Sequence, residues 1–137
     1  MIKIKFFDGR QSLEIDAETI SAAVQNAVKS EADLSEADLS EADLSGADLR
    51  RVNLSWADLC EAAFDFSCWP LRCGSLNVKI DKRIFCQLLY HALRAGQSVD
   101  DPEVKRLFEI PEIVNLANKF HRVEECGKIE LKQRGGE

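Results

Sequence analysis

Between residues 31 and 66 the apolar positions come in pairs two residues apart, and the pairs recur every five residues. They are Ala32/Leu34, Ala37/Leu39, Ala42/Leu44, Ala47/Leu49, Val52/Leu54, Ala57/Leu59 and Ala62/Phe64. A helix turns by about 100° per residue, so a five-residue step rotates successive Leu positions by about 140° and leaves no common apolar face. A flat strand fails as well, because five is odd and each Leu would change faces. Spacing by two is the same-face spacing of extended chain. Short extended pieces with a corner every five residues satisfy both periods. Four corners close a square coil in which residues 20 apart stack at about 4.8 Å. In that register Leu34 lies under Leu54, Leu39 under Leu59 and Leu44 under Phe64. Covers are expected at both ends, because a short coil cannot bury its own ends.

The flanks change period. In "IKIKFFDGRQSLEID" the alternation predicts a hairpin about a two-residue Asp8-Gly9 turn, with Ile4 opposite Leu13, Ile2 opposite Ile15 and Lys3 opposite Glu14. Asp16 is then the expected N-cap of a helix whose stripe is Ile20, Ala23, Val24, Ala27 and Val28, placed to cover the first coil. After the repeat, Pro70 and Gly74 mark a loop or short extended exit. Asp81 is the expected cap of a helix that ends near Gly96, with Ile84, Phe85, Leu88, Leu89 and Ala92 inward. Asp101-Pro102 opens a further helix. Pro111 punctuates it, and Ile113, Leu116, Ala117 and Phe120 continue a third stripe. The polar residues 126–137 are expected to fray.

The words EADLS, GADLR, RVNLS, WADLC and EAAFD resemble the pentapeptide-repeat family, whose word is A(D/N)Lxx. The resemblance implies a mainly β solenoid with α caps: a right-handed quadrilateral β-helix of about two coils, with Ala and Leu/Phe inside. The implied organisation is a hairpin and capping helix over 1–30, the β-helix over 31–69, a helical region over 70–125 and a polar tail over 126–137. The segment from Trp69 onward is similar to the C-terminal region that accompanies short repeats of this kind in some bacterial and phage proteins.

Charge singles out the repeat. The chain of 137 residues has a net charge of −6. Residues 31–71 hold ten acidic groups against two basic ones (Arg50, Arg51), while the rest is balanced. Direct binding to nucleic acid is therefore not expected, and a basic protein surface is the expected partner. Stacking relieves some of the repulsion, with Asn53 over Asp33, Ala63 over Asp43 and Arg51 over Glu31. The outward acids Glu31, Asp33, Glu36, Asp38, Glu41, Asp43 and Asp48 make the candidate binding wall, with Trp56 as a candidate aromatic anchor. The plainer expectation for Trp56, Phe66 and Trp69 is burial under the C-terminal helices.

Chemistry is thin. Cys73, His91, His121 and Cys126 could in principle compose a zinc site, but no C-x₂-C pair occurs and the spacings match no familiar module. The plainer reading is reduced thiols, mostly buried, so no metal or other cofactor is expected. No nucleophile elbow, phosphate loop or catalytic spacing is present, and no catalytic residue is assigned. Nothing resembles a signal peptide or a membrane span, which points to the cytoplasm and to no membrane partner.

Three functional expectations follow. The first is a non-enzymatic binding protein whose acidic coil meets a basic surface. A DNA-mimicking inhibitor of a DNA- or RNA-handling complex is one form of it, such as phage counter-defence against a host nuclease or CRISPR complex. The second is a structural or adaptor module whose C-terminal helices form a homodimer or dock a partner. The third is an enzyme, metal-dependent or not.

Overall fold

The computed structural model describes residues 1–71, 74 and 76–133. They fall into two compact units, Met1–Asp81 and Lys82–Glu137.

The first unit begins with strands β1 (Ile2–Phe6) and β2 (Leu13–Ile15), antiparallel, with Ile2 opposite Ile15, Lys3 opposite Glu14 and Ile4 opposite Leu13. The alternation fixed that register, since a slip by one would turn Ile4, which is buried, to the outside. The turn differs from expectation. Residues 7–12 connect the strands, and only Gly9 there has positive φ (80°), which excludes the two-residue turn. Lys5 and Phe6, beyond the last pair with β2, meet β3 (Ala37–Asp38) on the other edge of β1, giving the sheet order β2-β1-β3.

Helix α1 (Ile20–Lys29) buries Ala23, Val24 and Ala27. Its N-cap is Thr19, whose hydroxyl accepts the Ala22 N–H at 3.1 Å, so the expected cap at Asp16 lies three residues too early. The helix stops in a left-handed residue, Glu31 (φ 58°). Glu31 N–H donates to Val28 and Ala32 N–H to Ala27, the two bonds of a Schellman stop. The Gln25 amide reaches the Asp48 carbonyl at 3.0 Å, tying α1 to the repeat.

Beyond β3 the repeat carries isolated parallel bridges instead of long strands. Asp38 pairs with Asp58, Asp43 with Ala63, and Asp48 with Cys68. Regular strand is therefore scarcer than a mainly β class implies, because a corner interrupts the chain every five residues. The hydrogen bonds nonetheless run throughout. Leu39 N–H donates to Asp58 O and Asp58 N–H to Ala37 O; Leu44 to Ala63 and Ala63 to Ala42; Leu49 to Cys68 and Cys68 to Ala47. Inside, Leu34, Leu44, Leu49, Leu54, Leu59, Ala57 and Ala62 have no exposed surface.

Of the two expected forms of the exit, loop or short extended segment, the described residues around Lys79 take the extended one. Leu54 donates to Gly74 O, Leu59 to Lys79 O, and Lys79 back to Ala57 O, so this stretch lies against the second pass of the repeat. Asp58 pairs with Lys79, a step of 21 in place of 20.

The second unit contains α2 (Lys82–Gly96), α3 (Pro102–Leu107), α4 (Pro111–Ala117) and α5 (Val123–Cys126). Asp101 caps α3 as expected, accepting from Glu103 and Val104 N–H. The buried face of α2 is Ile84, Cys86, Gln87, Tyr90 and Leu93, which rotates the expected face and leaves Phe85 and Ala92 exposed. Tyr90 sets the rotation: its ring stacks on Phe120 with centroids 4.7 Å apart, and its hydroxyl donates to Gly127 O. The expected frayed tail is corrected over 127–132. Ile129 is buried, the Asn118 side chain makes two 2.8 Å bonds to its backbone, and Lys132 N–H donates to Phe108 O.

Candidate functional site

Each corner of the repeat is a four-residue turn closed by an N–H three residues on: Ala37 to Leu34 O, Ala42 to Leu39 O, Ala47 to Leu44 O, Ala57 to Leu54 O, Ala62 to Leu59 O. The third residue of each turn is left-handed: Glu36 (57°), Glu41 (59°), Gly46 (71°), Trp56 (62°) and Glu61 (63°), with Phe66 (61°) following the same rule. This is the type II geometry, which normally takes Gly at that position. At Arg50-Arg51 the turn closes without a left-handed residue.

The Asp or Asn of each word holds the approach to its corner. Its Oδ1 accepts the N–H two residues on: Asp33 from Ser35, Asp38 from Ser40, Asp43 from Ser45, Asp48 from Arg50, Asn53 from Ser55 and Asp58 from Cys60. Only a short side chain ending in an acceptor closes this loop, which explains why Asn53 can stand where the other five of these words have Asp. The Ser35 N–H, more than any other group, draws the Asp33 carboxyl below its ordinary value. The Ser45 hydroxyl and N–H do the same to Asp43. Arg50, bonded through both Nε and Nη2, lowers Asp48 to about 2. For Asp58 burial pushes the carboxyl up, but the Cys60 and Lys79 hydrogen bonds outweigh it and the net shift is down.

The seven candidate acids do not stack on one another. Residues 20 apart do, so all seven belong to the first pass, each under a different second-pass residue. Asp33 meets Asn53, whose amide donates to it at 3.0 Å; Asp38 meets Asp58; Asp43 meets Ala63; Asp48 meets Cys68. Asp33 also faces Arg10 at 3.7 Å, and Asp48 is paired by Arg50. Among the described residues no ion pair joins Glu31 to Arg51. Asp33, Asp48 and Asp58 thus have cationic partners, whereas among the described residues Asp38, Asp43 and the corner glutamates are in no ion pair.

Trp56 is 62% exposed and Phe66 84% exposed, so the expected burial of both is overturned. The left-handed corner points their side chains away from the apolar interior. Trp69 is half-buried with its ring 5.4 Å from that of Phe64. Phe7, which the sequence did not single out, is exposed beside Trp56. Phe7 and Trp56, with Glu36, Asp58 and Lys79, line an open cavity of about 420 Å³.

Of the zinc candidates, Cys73 lies outside the described residues. His91 and Cys126 are exposed, and His91 packs edge-on against Tyr90 and Phe120. Among the described residues no three His, Cys, Asp or Glu side chains converge to hold a metal ion. Cys86 is buried, Cys60 half-buried, and Cys68 and Cys126 exposed, so thiol burial is less general than expected. No helix among the described residues is long and apolar enough to cross a membrane.

The family model for pentapeptide repeats matches residues 30–64, in 8 copies. No curated protein and no solved structure matches the chain.

Proposed function

Because residues 30–64 of this chain are pentapeptide repeats, we propose that it is a non-enzymatic protein-binding module whose repeat presents fixed negative charge to a basic partner. Such repeats in general serve structural and interaction roles. In this reading residues 31–69 are a right-handed quadrilateral β-helix of about two coils, capped by the hairpin and α1. The observation that carries the proposal is the left-handed corner. It turns Glu36, Glu41 and Glu61 outward from a tied backbone, with Glu36 N–H to Ser55 O at 2.8 Å, Glu41 N–H to Cys60 O at 2.9 Å and Glu61 N–H to the Asp81 carboxylate at 2.6 Å. Charge held on a stiff frame loses little entropy when it is bound.

A finer form of this reading is imitation of a nucleic-acid backbone toward a DNA- or RNA-handling complex, acting as an inhibitor. The concentration of acid in the repeat supports it, and phage counter-defence is the biological setting it would fit. A second reading, an adaptor that dimerises through the C-terminal helices, is favoured by Phe85, which α2 leaves 48% exposed.

The test is capture from a cytosolic extract with the full chain as bait. The control bait carries Glu36→Lys, Glu41→Lys and Glu61→Lys, positions that leave the aspartate turns intact. Partners lost with the control and released by salt are the expected result. Equal capture by both baits overturns the electrostatic reading.

A further inference from the structure

We propose that the cavity between Phe7 and Trp56 receives one basic side chain, an arginine or a lysine, of a partner polypeptide; this rests on the reading of a basic partner and gives it an address. The backbone builds the cavity. Phe7 N–H donates to Glu36 O at 2.9 Å, and Glu36 N–H donates to Ser55 O at 2.8 Å, immediately before Trp56. Glu36 therefore lies between the two aromatic residues, all within the first unit. Phe7 is 59% exposed and Trp56 62%, so both offer free ring surface.

The charges select the occupant. Lys79 Nζ is 3.2 Å from Asp58 Oδ2, and the two offset each other. Glu36 is left as the unbalanced charge of the lining. Two ring surfaces beside one carboxylate attract a cation by its charge and by the negative faces of the rings. They repel an anion, although Lys79 is near.

Trp56 serves folding poorly. Its φ of 62° is costly for a residue with a bulky side chain, and most of its surface stays in water. Gly46, at the same position of another word, avoids the strain. The left-handed φ is common to the corners of the repeat, so what sets Trp56 apart is the large exposed ring it places in one cavity with Phe7 and Glu36.

The experiment is an NMR titration of the full chain, following the Trp56 indole N–H. The probes are the peptide Gly-Gly-Arg-Gly-Gly, the same peptide with citrulline for arginine, one with leucine, and inorganic phosphate. The arginine peptide is expected to shift Trp56 and to bind about tenfold more tightly than its citrulline counterpart. Phe7→Ala weakens it, Glu36→Gln does so by about threefold, and Trp56→Leu, followed through the Phe7 and Glu36 backbone amides in place of the lost indole, weakens it as well. Glu112→Gln, in the second unit, removes an exposed charge outside the repeat and leaves binding unchanged, and Glu41→Gln weakens it less than Glu36→Gln does. Stronger binding of the leucine peptide or of phosphate overturns the proposal, as does no binding at all. An equal loss on Glu36→Gln and Glu41→Gln overturns the cavity while leaving the general acidic reading standing. Trp56 and Phe7 are both exposed, so these variants keep the fold, and an unchanged circular dichroism spectrum checks that.

Discussion

Asn53 donates from its side-chain amide to the Asp33 carboxylate at 3.0 Å, across a sequence distance of 20 residues. The bond joins two passes of the repeat at a position where two aspartates would face each other if the words were identical. Asn53→Asp should restore that repulsion and cost about 0.5–1 kcal/mol at neutral pH. Urea denaturation at pH 7 and pH 3 checks it: the deficit should narrow at the lower pH, where one carboxyl carries a proton.

The left-handed corners give a pair of opposite effects. Gly46→Ala places a Cβ at φ 71°, where nothing crowds it but the backbone itself resists, and should cost about 1 kcal/mol. Glu41→Gly relieves the same strain at φ 59° and should gain about 0.5–1 kcal/mol. Thermal melts of the two variants should move in opposite directions.

Acid should loosen the repeat. Asp33, Asp43, Asp48 and Asp58 all titrate below their ordinary value of 3.8 when folded, because the charged form accepts the turn hydrogen bonds. Stability from a lowered carboxyl is complete above the unfolded value and lost as pH falls through the folded one. The loss should therefore begin near pH 4 and, for Asp48, continue to about 2. Asp48→Asn keeps an acceptor for the Arg50 N–H and should flatten this branch in melts between pH 6 and pH 2.

In the second unit Ile129 is only 2% exposed, and it anchors the stretch after α5 among Tyr90, Phe108 and Phe120. Ile129→Ala should cost about 2–4 kcal/mol. Tyr90→Phe, which removes only the hydroxyl bonded to Gly127 O, should cost about 1 kcal/mol. Chemical denaturation followed by far-ultraviolet circular dichroism measures both.

The hairpin register and the stacking partners of the repeat were legible because each rests on a period that the side chains themselves display. Asn53 over Asp33 follows from a step of 20 and nothing else. The left-handed corners were not legible, because Glu, Trp and Phe occupy positions where glycine is the usual signal; Gly46 was the single hint. The turn role of the aspartates was hidden by their charge, which invited a reading as surface acid. The stacking of the segment at 74–81 escaped because its words lose the Ala/Leu pair and its step shifts to 21. Ile129 stands alone among polar residues, with no stripe to mark it. For the candidate site, Trp56 was visible by type, but Phe7 joins it only through a bond between chain segments far apart in sequence.

The pairing of β1 with β3 settles where stacking can stop. Successive passes of the repeat run parallel, so the upper edge of one is a template for the next, and a bare edge of that kind invites a second molecule. Lys5 and Phe6 meet Asp38 and Ala37 antiparallel, against the direction of the stack. At Ala37 and Asp38 the hairpin thus occupies the outer edge of the first pass with a strand that runs against the stack. At those two residues the edge is already taken and is closed to the repeat of a second copy.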